Sequence, residues 1–435
     1  MSNFQTILVA VFLAFFVFAV LIFSGAIKIG GLSDNNNDQI TGKIIVWGTF
    51  SSQNISGVIS GIVSKNKDLN LVYVKKDINT YQQDLIEAFA NGNGPDLFII
   101  TTDMIQRNNN FIYKIPYASY PEKTFRESFI DGANVYLDKE GIIAFPLVID
   151  PMVLYYNKDI LSNEGIAYPP KSWDELFSLN TSLTKRENSG TINQSMIALG
   201  QYSNVNNAKD ILATLLFQNN NEIISRNELK YFSVLNSNPS GYTVAPLEAV
   251  LKFFLEFSNP SNTAYSWNRA LPNSLEMFTG GKLVFYLGRA SELFNIESIN
   301  PNLSFDVAQI PQIKDSSSKR TYGDMYAVTV NKKSANITSA FKIAGMLSQG
   351  EDAKNLSISL SLPPASRALL SVKPEDPYLY TFFNSALISR SWADPDKIKS
   401  NNIFQELIEN ILSNRLSINE AISKAQGQLE LLNIK

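Results

Sequence analysis

Two regimes of hydrophobic patterning divide the chain. Residues Phe4 to Phe23 are apolar apart from Gln5 and Thr6, carry no charge and show no amphipathic stripe. Twenty helical residues at ~1.5 Å each span roughly 30 Å, the hydrocarbon thickness of a bilayer, so a transmembrane helix is expected here. The run is longer than the roughly 7–15 apolar residues of a cleavable signal. No clean small-x-small site follows it and no cysteine is available for a lipid anchor, so the helix is expected to be retained. The polar stretch Ser33-Asp34-Asn35-Asn36-Asn37-Asp38 reads as a tether, which makes residues 1–42 anchor and linker.

From Lys43 onward, short apolar runs alternate with segments of helical period. Lys43–Trp47, Leu71–Val74 and Asp96–Ile100 read as strands. Asn54–Ser64 reads as a helix, and Thr80 with Gln83 forms a capping-box pair opening a second one, on which Tyr81, Leu85 and Phe89 share a face. Ile142–Ala144, Met152–Tyr156, Met196–Leu199, Leu283–Leu287 and Met325–Val330 continue the strand series. Ser172 with Glu175, behind Pro169-Pro170, opens another helix. Asn188–Asn207 and Lys314–Arg320 look like loops. Such alternation implies βαβ units and a parallel sheet, an α/β architecture.

At 435 residues the chain calls for two domains or lobes. The net charge of -3 provides no field for nucleic acid. The chain has no cysteine and no histidine. This removes disulfides, thiolate and imidazole metal ligands, cysteine nucleophiles and Ser–His chemistry. No phosphate-loop motif is present, four Ser-x-x-Lys matches fall in unrelated contexts, and neither a cofactor nor a metal is expected.

In open sheets, ligands bind beyond the carboxyl ends of strands. That rule selects Trp47–Ser52, Ile100–Asp103, Phe145–Pro151, Gly200–Asn204 and Gly288–Ser291, where rings, hydroxyls, amides and carboxylates collect. Rings stack on the C–H faces of sugars while Asp and Asn accept from their hydroxyls, so a polyhydroxylated ligand suits the mixture. The candidate ligand residues are Trp47, Thr49, Asp103, Asp150, Tyr202, Trp267, Arg289, Tyr322 and Trp392. Blander roles compete: Asp103 and Asp150 as helix or hinge caps, Trp47 as core, Arg289 as a surface pair. Asp96 and Trp173 read as structural.

Several motifs, in order, resemble the extracellular solute-binding proteins of ABC importers, in the group that includes maltose-binding protein. They are Gly94-Pro95-Asp96-Leu97-Phe98-Ile99-Ile100, Phe145-Pro146-Leu147-Val148-Ile149-Asp150 with Leu154-Tyr155-Tyr156-Asn157-Lys158-Asp159, Pro169-Pro170-Lys171-Ser172-Trp173-Asp174-Glu175-Leu176, Phe278-Thr279-Gly280-Gly281-Lys282-Leu283-Val284-Phe285, and Leu362-Pro363-Pro364-Ala365-Ser366-Arg367. The resemblance runs from about Lys43 to the end. It implies a two-lobed, periplasmic-binding-protein-like fold with an interlobe hinge. Lobe I would hold residues 43–149 and about 328–380, and lobe II about 153–325 and 383–435. Asp103 and Asp150 match sugar-contacting carboxylate positions of that group. Ile100 and Ala290 fall where it places stacking aromatics, which puts maltodextrin itself in doubt.

The resemblance implies a monomer that captures a sugar or related polar solute by lobe closure. It would pass the solute to ABC permease subunits from the outer face of the cell membrane, spanned once by the N-terminal helix. A secreted carbohydrate-active enzyme using Asp103 and Asp150 is the alternative, and a surface sensor or adhesin on the same fold is another.

Overall fold

The computed structural model describes residues 40–228, 230–238 and 244–433. The expected anchor and tether lie outside the described residues. Among the described residues, no helix is long and apolar enough to cross a membrane.

The first lobe opens as a β-α-β-α-β series: β1 (Gly42–Gly48), α1 (Ser52–Lys65), β2 (Leu69–Lys75), α2 (Tyr81–Ala90) and β3 (Leu97–Ile100). β1 pairs parallel with both β2 and β3. Ser51 caps α1 by accepting from the Asn54 amide at 3.2 Å. Tyr81, Leu85 and Phe89 form the buried face of α2 as its period predicts. The expected capping box does not form. Thr80 makes no side-chain cap bond, and Gln83 donates to Glu87 at 2.7 Å instead.

The elements that follow include β4 (Phe145–Asn157), α3 (Trp173–Leu183), β5 (Ile192–Ile197), α4 (Ala208–Gln218), α5 (Pro246–Glu256), β6 (Leu283–Arg289), β7 (Phe305–Gln309) and β8 (Thr321–Val330). The Ser172–Glu175 box does open α3, with the Ser172 amide donating to Glu175 at 3.0 Å. β5 overlaps the expected strand Met196–Leu199 and begins four residues earlier, inside the stretch that otherwise reads as a loop, with Ile192, Ser195, Met196 and Ile197 buried within the second lobe.

β4 is one strand of 13 residues where a loop followed by a short strand was expected. Its prolines obscured this. Pro146 falls beside a register shift in β8, and Pro151 falls where β4 changes partners, so neither missing N–H interrupts a regular ladder. Phe145–Pro151 pairs antiparallel with β8, and Met152–Asn157 pairs antiparallel with β6 and β7. Gly323, opposite Pro151, has no room for a side chain: a Cβ there would lie 2.6 Å from Ile149.

The main path of the sheet is β2-β1-β3-β8-β4-β6-β5, closed at the edge by Lys185–Arg186. The sheet is mixed rather than parallel, because β8 runs antiparallel to β3 and to β4. The fold is thus α/β and two-lobed, with β4 and β8 continuing from one lobe into the other. A further short strand, β9 (Ser389–Arg390), pairs with the start of β8. Two long helices, α6 (Lys397–Leu412) and α7 (Ile418–Leu432), then pack on lobe II. Glu430 fastens α7 there by accepting from Lys230 at 2.6 Å and from the Ser233 amide at 2.8 Å.

Candidate functional site

Where β4 and β8 cross between the lobes they carry Asp150 and Asp324 at paired register positions. Both carboxylates are buried. Loops at the ends of other strands and helices close around them, and each brings a charge.

Arg289, at the end of β6, donates to Asp210 on α4 at 2.6 Å and to Asp324 at 3.1 Å. Its guanidinium lies 5.9 Å from the Tyr322 ring. Lys397, at the start of α6, reaches Asp324 at 3.0 Å. Lys209, beside Asp210, donates to Asp394 at 2.8 Å and to Ser400 at 3.0 Å, 5.7 Å from the Trp392 ring. Lys397 is half-exposed, but the carboxylates and the other cations are largely shielded, so losing a partner leaves an uncompensated buried charge.

The two central carboxyls are held in opposite senses. Burial pushes Asp324 up, but Lys397 and Arg289 more than offset this and hold it below the usual carboxylate range. Asp150 accepts only from Ser291, at 2.9 Å from the amide and 2.6 Å from the hydroxyl. Burial dominates there and pushes it up to about 6 against the pull of Arg289. Asp103, just after β3, accepts from Thr101 at 2.5 Å, and burial and Asp324 push it up as well.

Over this network lies a cavity of about 400 Å³ lined by Asn207, Lys209, Asp210, Arg289, Lys397 and Asn401. By the expected bounds these lining residues all belong to lobe II, and lobe I meets the same lobe nearby, at residues 393–396. From lobe I, Gln106 donates to the Ala393 carbonyl at 2.9 Å, and Arg107 donates to the Pro395 carbonyl at 3.2 Å and pairs with Asp396. The arrangement offers fixed donors and acceptors for a polar molecule. Among the described residues, no group of His, Cys, Asp or Glu is arranged to hold a metal ion.

The structure gathers Asp103, Asp150, Arg289, Tyr322 and Trp392 around the network, and Tyr202 at its margin, where its hydroxyl bonds Asn401 at 2.8 Å. Three other sequence candidates stand apart. The Trp47 ring lies under the Lys76 ammonium at 3.8 Å, and Thr49 follows it, half-buried. Trp267 is fully buried and donates to Asn204 at 3.1 Å, so its place is in the wall of lobe II. Sequence reasoning missed Lys209, Asp210, Asp324, Asp394 and Lys397. One signal was available: Lys209-Asp210 opens a helix whose other residues are almost all apolar, and α4 is buried on every face.

A family model described as bacterial extracellular solute-binding protein matches residues 63–377. Among solved structures, the chain is similar to a cyclic alpha-maltosyl-1,6-maltose binding protein from Arthrobacter globiformis. The TM-score is 0.72 at 14% identity, covering 90% of this chain and 99% of that one. The sugar-binding protein MalE from Xanthomonas citri gives 0.69 at 14% identity, over 90% and 97% of the two chains. A Thermotoga lettingae ABC transporter solute-binding protein bound with alpha-D-tagatose gives 0.63 at 17% identity, over 90% and 100%. These likenesses extend through both lobes. Solute binding, not catalysis, is the role that follows, and the chain belongs to the bacterial extracellular solute-binding protein family.

Proposed function

We propose that the protein captures a carbohydrate or related polar solute between its lobes outside the cell and delivers it to an ABC transporter permease. The apolar segment Phe4–Phe23 would hold it to the membrane as a single-pass anchor, with residues 43–149 and about 328–380 forming lobe I and about 153–325 and 383–435 forming lobe II. The observation that carries this reading is the cavity over the Arg289–Asp210–Asp324 network, on the lobe II side of the strands that pass between the lobes. Arg289, Asn207 and Asn401 offer donors and acceptors of the kind that hold sugar hydroxyls, and the solved relatives include proteins complexed with maltotetraose, tagatose and mannotriose.

Ligand contact is assigned first to Arg289, with Asp103, Asp150, Tyr202, Tyr322 and Trp392 around it, and more remotely to Trp47 and Thr49. Ring stacking plays a smaller part than in an aromatic-lined sugar site, because charged and amide groups form the lining. A calorimetric screen of neutral sugars and polyols, amino acids and peptides tests the proposal. One-site binding of a sugar or polyol, weakened tenfold or more by Arg289→Ala, is expected. Failure of every class to bind would overturn it.

A further inference from the structure

A second cavity, of about 430 Å³, lies at the far end of α4 from the cleft. Asp210 at one end of that helix belongs to the cleft network and Phe217 near the other lines the second cavity, roughly 10 Å along the axis at ~1.5 Å per residue. Trp392 stands between them, lining this cavity while Lys209 of the cleft approaches its ring. Lobe I contributes Asp131 and Asn134, lobe II contributes Asn221 and Arg226, and the segment joining α6 contributes Arg390.

Its arginines are unevenly paired. Asp131 is shared by Arg390, at 2.6 Å, and by Arg367 just outside the wall. Arg320 also lines the cavity, and its guanidinium donates only to the Lys319 carbonyl; among the described residues no carboxylate pairs with it. Arg226 is satisfied by Asp138 at 2.8 Å. The wall itself therefore holds two guanidinium groups short of partners: Arg390 shares its one carboxylate with Arg367, and Arg320 has none. Glu222, also in the wall, is exposed and pairs with neither among the described residues. Burial and the neighbouring Arg320 both work against the charge on Arg390, as expected of cations lacking enough counter-charge. Guanidinium groups bind carboxylate and phosphate oxygens in bidentate fashion, and a cavity of this size admits a small metabolite.

We propose that this cavity is a second binding site, for a small oxyanion that bridges Arg320 and Arg390 behind the cleft.

Isothermal titration of the full-length chain in detergent, at low ionic strength, with citrate and separately with inorganic phosphate, tests the assignment. One-to-one binding of either is expected, with Kd raised at least tenfold by Arg320→Gln and by Arg390→Gln. Arg320→Lys, which keeps the charge, should stay nearer the native value, and Arg269→Gln, an exposed arginine elsewhere, should leave Kd unchanged. Binding of citrate alone assigns a carboxylate ligand, and of phosphate alone a phosphoryl one. Absence of one-to-one binding by both anions, or native affinity in a folded Arg320→Gln variant, would overturn the proposal.

Discussion

Asp150 and Asp324 occupy paired positions on the two strands that cross between the lobes, yet only Asp324 has cations within ion-pair distance. Asp150 is left with the amide and hydroxyl of Ser291. Two like charges on neighbouring strands repel, and the protein neutralises one while burial disfavours ionisation of the other.

A pH dependence follows. With Asp150 raised to about 6 in the folded chain against 3.8 when unfolded, the folded state binds more protons between these values. Its contribution is therefore full below pH 4 and is lost as pH rises through 6, a change on the order of 3 kcal/mol. Asp150→Asn cannot titrate. Urea unfolding at pH 4 and pH 7 should show the native protein losing stability relative to that variant as pH rises.

Removing Arg289 strips Asp210 and Asp324 of a shared partner while both remain buried. Arg289→Ala should cost about 3–5 kcal/mol in chemical denaturation. Adding Asp210→Asn should recover part of that loss, since it removes one of the stranded charges. Equal costs in the single and double variants would show that the network is not coupled.

Trp267 separates structural from ligand roles. Its full burial predicts that Trp267→Ala costs about 3–5 kcal/mol in chemical denaturation, through lost packing and an unpartnered Asn204 oxygen. Trp267→Phe keeps most of the volume, and titration calorimetry should find its solute affinity within about twofold of native. A tenfold loss there would place the indole in contact with solute.

Arg107 reaches from lobe I to Pro395 and Asp396. Contacts made only when the lobes meet act on dissociation more than association. Arg107→Ala should raise the solute off-rate about threefold to tenfold in stopped-flow measurements, with little change in on-rate.

The strand–helix alternation of lobe I was legible because local signals agree there: short apolar runs are set off by polar stretches, and Tyr81, Leu85 and Phe89 repeat at helical spacing up to Gly92. β4 was not, since two prolines read as breaks unless its exchange of partners at Pro151 is known. The site was legible in part. Arg289 ends β6, where the rule for open sheets points, and Asp150 was selected as a loop residue although it lies inside β4, whereas Asp210 and Lys209 gain their meaning from Arg289 and Asp394, 79 and 185 residues away. Trp267 misled because its polar sequence neighbours are consumed by loop hydrogen bonds, such as that of Asn268 to the Tyr265 hydroxyl, leaving the indole to face inward.

Closure of the lobes on solute can be observed directly. The chain has no cysteine, so Glu87→Cys and Asn402→Cys, at exposed positions on α2 and α6, would place one spin label on each lobe. Electron–electron distance measurements on the full-length protein should show the separation shortening by several ångströms when a sugar or polyol that binds in the calorimetric screen is added. A distance distribution unchanged at saturating solute would contradict capture between moving lobes.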